Sequence, residues 1–161
     1  MSGGDNPHGI VLQPLKACDL AVAAAVHAGS FNDAWTESAI GELLAMPGSF
    51  GALACVGDQP IGLVIALATG PDAEILTLGV LPDFRRRGVA RRLVASVGER
   101  ASSVGCERLL LEVAEDNVAA RNLYRRLGFA DIARRPAYYR RPIGDAVAAI
   151  VLARPIQTKK N

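Results

Sequence analysis

Glu112 is the only charge inside the apolar run 109–113, and Tyr124 lies twelve residues beyond it. A half-buried carboxylate has a raised pKa and can take up a proton, directly or through water. A phenol of ordinary pKa, about 10, can protonate a departing thiolate of pKa about 8.5 if it is held within hydrogen-bond reach. Upstream, the stretch DFRRRGVARR (83–92) gathers five arginines around Gly88. Where a helix starts, its first amides are unpaired and its dipole favours an anion by about 0.3–1 kcal/mol. Glycine removes the Cβ, so the backbone can approach a phosphate closely, and guanidiniums add charge-assisted contacts. A row of amides and five guanidiniums suits a diphosphate. Each feature also has a plainer role. Glu112 could be an exposed strand glutamate or half of an ion pair with an arginine. Tyr124 could be a core ring at helical spacing with Ala120 and Leu127. The arginines could be a solvated helix face or a nucleic-acid patch.

These residues need elements to position them. Apolar residues at Val89, Leu93, Val97 and Ala101 recur every four positions, which predicts a long helix from Gly88 to near Gly105. A strand over 74–80 precedes it. A strand over 108–113 follows, and its three consecutive leucines suggest burial on both faces. A helix over 118–127 ends at Gly128, with Asn117 placed to cap its start. Two last strands are predicted over 132–139 and 146–152. In the first half, a strand over 10–15 leads to an alanine-rich helix over 19–27 and a loop, GSFND. Thr36 caps a second helix that runs to about Ala45 and stops at Met46-Pro47-Gly48. Strands over 50–56 and 61–68 flank a turn and form a hairpin. The strand–helix–strand unit implies a parallel pair with a right-handed crossover. The whole is an α/β, or α+β, domain around one mixed sheet.

Composition narrows the classes. A chain of 161 residues that is 50% hydrophobic fits one domain with a real core. Its 18 basic and 16 acidic residues give a net charge of +2, which argues against nucleic acid as a partner. Cys18, Cys55 and Cys106 are odd in number and far apart, so neither a disulfide framework nor a zinc site is expected. Free thiols suit a reducing cytoplasm. Two histidines, His8 and His27, cannot make a metal site alone, and none is expected. No window reaches the ~18 apolar residues of a membrane span, and no apolar leader opens the chain. Residues 1–9 are read as a disordered lead-in, 10–156 as a single domain and 157–161 as a tail. The chain is expected to be a monomer or weak homodimer.

The spacing Arg85-x-x-Gly88-x-Ala90 is neither a dinucleotide-binding nor a P-loop pattern. It resembles the acetyl-CoA motif, Q/R-x-x-G-x-G/A, of the GNAT family of N-acetyltransferases. The resemblance implies that amides along Arg85, Arg86, Arg87, Gly88, Val89, Ala90 and Arg91 cradle the pyrophosphate of coenzyme A. In that family the motif follows a strand that splays from its neighbour and a Val-x-Pro turn, as Leu78-Gly79-Val80-Leu81-Pro82 does here. By resemblance, the backbone of Leu78, Gly79 and Val80 holds the pantetheine arm. A glycine within a strand independently marks a bulge or a close backbone approach.

The stretch 109–129 resembles the RimI-type branch of the family, the ribosomal-protein-alanine N-acetyltransferases. The branch pattern L-E-V-x-x-x-N-x-x-A-x-x-L-Y-x-x-x-G-F is met by Leu111, Glu112, Val113, Asn117, Ala120, Leu123, Tyr124, Gly128 and Phe129. RRPAYY at 134–139 resembles the branch's R-R-P-G-Y-Y, with Ala137 in place of glycine. The likeness covers about 74–153, and the stretch 31–43 around Trp35 resembles the acceptor-side loop and helix more loosely. What it implies is a fold and a set of roles. The fold is a central mixed, mostly antiparallel sheet of six to seven strands with a splayed pair, flanked by about four helices. Glu112 is the general base. Tyr124 is the general acid and touches the cofactor, as does Asn117, for which helix capping is the competing role. Trp35, Tyr138 and Tyr139 line the acceptor groove. As strand neighbours the two tyrosines should point to opposite faces, so only one is expected to do so.

Acyl transfer from a thioester to an amine needs a neutral amine, a donor for the developing oxyanion and an acid for the thiolate. An α-amine of pKa near 7.8 is roughly a tenth neutral at pH 7, whereas a lysine is about 0.04% neutral. A single carboxylate suffices more easily for the α-amine. The activity that the resemblance implies, with the α-amine favoured as acceptor, is acetyl-CoA-dependent acetylation of a protein N-terminus, of the ribosomal-protein type, by direct attack in a ternary complex, releasing coenzyme A. A small-molecule amine acetyltransferase, a coenzyme A-binding sensor and a nucleic-acid-binding protein are the alternatives.

Overall fold

The computed structural model describes residue 6 and residues 8–157. The expected lead-in over 1–9 lies outside the described residues except at positions 6, 8 and 9, and the expected tail except at 157. Seven strands and four helices follow in the order β1 (Ile10–Pro14), α1 (Leu20–Ser30), α2 (Glu37–Leu44), β2 (Ser49–Val56), β3 (Gln59–Thr69), β4 (Asp72–Val80), α3 (Val89–Ser103), β5 (Arg108–Ala114), α4 (Val118–Arg126), β6 (Ala130–Tyr139) and β7 (Val147–Pro155). Short 3-10 turns over Ala17–Asp19 and Pro82–Phe84 were not foreseen. The strands form one mixed sheet in the order β1-β2-β3-β4-β5-β7-β6. The fold is the expected α/β one. The chain divides into two compact units, Met1–Leu67 with Thr77–Arg100, and Ala68–Leu76 with Ala101–Asn161, so β4 contributes to both.

In the first unit, β1 pairs antiparallel with β2, and β2 antiparallel with β3. Residues 61–66 of β3 are buried without a break, so this strand is covered on both faces. The predicted stripe of α3 is real: Val89, Leu93 and Val97 are each at most 2% exposed. Thr36 caps α2 as expected, its hydroxyl accepting from the Ala39 amide at 3.1 Å. Helix α1 outruns the expected end at His27 and absorbs Gly29 and Ser30. The Ser30 hydroxyl donates to the Val26 carbonyl at 2.7 Å, satisfying itself within the helix rather than starting a loop.

In the second unit, β4 and β5 run parallel and pair at 72–74 with 108–110 only. Arg108 fastens this end with two bonds to the Asp72 carboxylate, at 3.0 and 3.1 Å. Beyond it β5 pairs antiparallel with β7 through Ala114. The short ladder is the expected parting of a strand pair. The three leucines misled in one respect. Leu109, Leu111 and Val113 are buried, but Leu110, Glu112 and Ala114 on the other face are only half-buried. That face carries the candidate base, and a fully covered strand would exclude its substrate. Strand β6 lies at the sheet edge, where Pro136 is tolerated, and its ladder with β7 breaks at 131–133 and again at 135–139.

Candidate active site

The first unit holds the candidate anion cradle. After β4 the chain passes through the Pro82–Phe84 turn and enters α3 at Val89. The first bond that closes the helix is from the Arg92 amide to the Gly88 carbonyl, 3.1 Å. Among the described residues, the six consecutive amides of 86–91 make no intramolecular hydrogen bond. Gly88 has φ +79°, a conformation that costs a residue with a Cβ about 1–2 kcal/mol, and nothing lies within 4 Å of where a Cβ would stand. Gly88 is thus required first for its backbone conformation, and the space beside it is open. Arg86 also has positive φ, +61°. Local strain of this kind concentrates at ligand clamps.

The arginines divide their work. Arg85 is committed to the fold: its Nε donates to the Val80 carbonyl at 3.0 Å and its guanidinium reaches the Ser30 carbonyl at 3.4 Å. Arg87 lies over the Phe84 ring at 5.1 Å, and Arg92 donates to the Asn6 side chain at 2.6 Å. Arg86 and Arg91 are exposed and have no partner among the described residues. Ala90, one step into the helix, is half-buried. Leu78 and Val80 are half-buried and Gly79 between them is buried. The close approach at Gly79 comes from the end of α1. A Cβ there would stand 2.8 Å from the Phe31 ring and 2.9 Å from Ser30 Cβ.

Trp35, also in this unit, is half-buried and stacked on His27. With Ala39, Glu42, Leu43 and Met46 it lines a shallow recess. Another recess of the unit, about 660 Å³, is apolar and lined by such residues as Leu12, Leu44, Phe50 and Val97. It contains none of the expected site residues.

The second unit holds the candidate acid–base groups. Paired residues of a sheet share a face, and so do residues two apart on one strand. The pairs Glu74–Leu110, Ala114–Ala149, Arg135–Ala149 and Tyr139–Val147 therefore place Glu74, Glu112, Arg135 and Tyr139 on one face. The Glu112 carboxylate, 18% exposed, forms an ion pair with Arg135 at 3.2 Å. The ion pair that was one plain alternative for Glu112 is thus present, within a group of titratable residues. The burial-raised carboxyl on this face is Glu74: desolvation pushes its pKa up, the Glu112 charge pushes it further, and Arg135 partly offsets both. Tyr139 is raised as well, by burial and then by Glu112.

The two tyrosines do not take opposite faces as strand neighbours should. Ala137 has φ +51° within the second break of β6, which disrupts the alternation. The rings of Tyr138 and Tyr139 meet edge to face at 5.2 Å, and Arg135 lies 5.5 Å from the Tyr138 centroid. Tyr124 packs edge-on to Phe129 at 5.7 Å, so its ring fills the core role. Packing around its hydroxyl raises the phenol to about 12. That hydroxyl has no partner among the described residues. Asn117 caps α4, its side-chain oxygen accepting from the Ala120 amide at 3.2 Å. Cys106 is buried with its thiol toward the Gly70 carbonyl at 3.5 Å, and burial raises it and Cys55.

Residues 21–129 match the model of the acetyltransferase (GNAT) family. The chain belongs to that family. The ribosomal protein bS18-alanine N-acetyltransferase of Haemophilus ducreyi is 31% identical over 96 residues, 60% of this chain and 66% of the relative. The match thus spans just under two thirds of the relative's length. The crystal structure of the ribosomal-protein-S18-alanine N-acetyltransferase of Escherichia coli superposes with a TM-score of 0.83 at 24% identity, covering 94% of this chain and 96% of that one. Arabidopsis thaliana NAA60 in complex with acetyl-CoA follows at 0.77 and 22%, covering 91% and 98%. At these identities the likeness to the GNAT structures is one of fold. Among the described residues there is no group of three metal-ligating side chains, and no helix is long and apolar enough to cross a membrane.

Sequence reasoning passed over Glu74, Arg135 and His27. A charged residue opening the apolar strand EILTLGV was a weaker signal for Glu74 than the one that marked Glu112 within its run. Arg135 lay in the RRPAYY motif without a role. Nothing in the sequence marked His27 as a hub.

Proposed function

We propose that this chain is an acetyl-CoA-dependent N-acetyltransferase whose acceptor is the N-terminal α-amine of a protein, of the ribosomal-protein alanine type, with 10–156 as its acetyltransferase domain. The observation that carries the reading is the run of six unbonded amides at 86–91, in a chain that belongs to this family. Helix-start amides with adjoining arginines fit a diphosphate. Arg86 and Arg91 are the two of the five that are free to reach it, while Arg85 shapes the turn. The backbone of Leu78, Gly79 and Val80 holds the pantetheine arm, and the free amide nitrogen of Asn117 reaches the cofactor. The alanine specificity rests on the name of the H. ducreyi relative.

Acetyl-CoA supplies the acetyl group as a thioester. Glu112 takes the acceptor's proton, and Glu74 on the same face, its proton affinity raised by burial, stands ready to receive it. Trp35, Tyr138 and Tyr139 hold the acceptor. Tyr124 serves the leaving sulfur chiefly as a hydrogen-bond donor. With the phenol at about 12, outright transfer to a thiolate of pKa about 8.5 would cost about 5 kcal/mol, at 1.36 kcal/mol per unit. The phenol stays protonated at every working pH, which suits a donor. Cys55 and Cys106 are buried thiols, and the exposed Cys18 lies in the Ala17–Asp19 turn, apart from the residues given roles here, so no covalent nucleophile is invoked. The reading places the protein in the cytoplasm as a monomer or weak homodimer.

The deciding experiment is a thiol-release assay with acetyl-CoA and short peptides that differ at the first residue. Blocked N-termini, internal lysines and polyamines serve as controls. Turnover on free Ala- or Ser-initiated peptides and none on blocked ones is the expected result. Turnover on polyamines alone would transfer the chain to the small-amine acetyltransferases. Acetyl-CoA binding without turnover on any amine would favour a sensor.

A further inference from the structure

His27 has no part in the roles above, yet contacts from three residues converge on it. It is 2% exposed, in the last turn of α1. Its Nδ1 accepts from the Trp35 backbone amide at 3.1 Å, and its Nε2 lies 3.3 Å from the Thr77 hydroxyl. A backbone amide can only donate, so Nδ1 carries the lone pair and Nε2 carries the proton, which it donates to Thr77. The imidazole is stacked on the Trp35 ring, centroids 4.8 Å apart and planes 19° apart, and tilted against Phe31 at 4.5 Å. Among the described residues, both hydrogen bonds made by 31–35 go to His27: the Phe31 amide to its carbonyl at 3.0 Å and the Trp35 amide to its ring.

We propose that His27 is the positioning residue of the acceptor-side loop, holding Trp35 in register and orientation through Nδ1 and ring stacking while Thr77 fixes the imidazole. The inference rests on the reading that Trp35 contacts the acceptor. Burial lowers the pKa of His27 and so favours the neutral form that this arrangement needs. The side chains in ring or hydrogen-bond contact with it, Phe31, Trp35 and Thr77, carry no charge. Asp33, Glu37 and Glu42 of the adjoining loop and α2 are all solvent-exposed. Protonation would turn an N–H of Nδ1 toward the Trp35 N–H and break the bond.

Trp35 is the single tryptophan of the chain, so its fluorescence reports on the contact without any acceptor. An imidazolium stacked on an indole quenches it. Emission of the wild-type chain is expected to fall as pH drops below about 6.5, the ordinary histidine value, and His27→Asn should abolish that transition. In steady-state assays, His27→Leu should raise the peptide KM about tenfold. Its kcat and acetyl-CoA KM should stay within about twofold of wild type. His27→Asn, whose side-chain oxygen sits where Nδ1 does, should recover most of the peptide KM, and His27→Gln should not. Equal peptide KM in the Leu and Asn variants, both shown to be folded by thermal melting, would overturn the proposal. So would emission that ignores pH in the wild type. Absence of turnover on any peptide by the wild type would remove the acceptor assignment itself. That failure is told apart because the fluorescence titration needs no acceptor.

Discussion

Glu74 and Glu112 share a sheet face but not an environment. Arg135 pairs with Glu112, whereas Glu74 has burial and a neighbouring negative charge against its ionisation. A variant at one carboxylate therefore acts on the other. Glu112→Gln removes the charge that raises Glu74, so an acid limb of the pH–rate profile set by Glu74 should move to lower pH. In Glu74→Gln that limb should vanish. Profiles of kcat/KM between pH 4.5 and 8 would test this, and an acid limb unmoved in both variants would separate Glu74 from the chemistry. Glu112→Gln should also cut turnover about a hundredfold, the usual yield of a positioned base. Tyr124→Phe should do likewise, with the acetyl-CoA KM within about twofold of wild type, since only a transition-state contact is lost. Wild-type turnover in Tyr124→Phe would leave the residue with its packing role against Phe129.

At the scale of elements, the turn before α3 is where backbone geometry and the proposed binding meet. Gly88→Glu combines a strained φ with a negative charge at an anion cradle, so acetyl-CoA affinity measured by calorimetry should fall at least about a hundredfold. Unchanged affinity would remove the cradle assignment. At Ala137 the strain is already present, and Ala137→Gly should stabilise the chain by up to about 1 kcal/mol in urea unfolding; a loss of stability would mean that the left-handed residue is well supported. These two sites show what the sequence could and could not reveal. The α3 stripe at Val89, Leu93 and Val97 was legible because helical periodicity is a property of neighbours in the chain. So was the cap at Thr36. The half-open face of β5 was not legible, because Leu109–Leu111 looks the same whether covered once or twice. The contact between Tyr138 and Tyr139 depended on a positive φ at a residue that is not glycine. Glu112 was legible as a lone charge in an apolar strand, but its partner Arg135 is 23 positions away and is brought to it only by the β5-β7-β6 order.

For the molecule as a whole, a net charge of +2 leaves little overall repulsion, so the pH range of stability is set by the few groups that folding moves. His27 is depressed by burial. Its contribution is present above the unfolded value of about 6.5 and is lost as pH falls through the lower folded value. Asp72 and Glu115 are depressed by hydrogen bonds from Arg108 and Arg134, and their contributions are likewise lost, further into acid. Glu74 is raised and works in the opposite sense. On the alkaline side, Tyr124 is raised from about 10 to about 12, so its contribution is present below the unfolded value and lost as pH climbs through the folded one. Two units correspond to about 2.7 kcal/mol, an upper bound. The raised thiols of Cys55 and Cys106 act in the same direction, starting near 9. Stability in urea should therefore be greatest between about pH 6.5 and 9, the window left between these two sets of groups. Tyr124→Phe has no proton to lose and should flatten the fall between about pH 10 and 11.5, while the cysteine contribution persists. Parallel decline of the wild type and the variant over that interval would show that the phenol is no better shielded in the folded chain than in the unfolded one. The donor role assigned to a phenol that stays protonated would then lose its electrostatic basis.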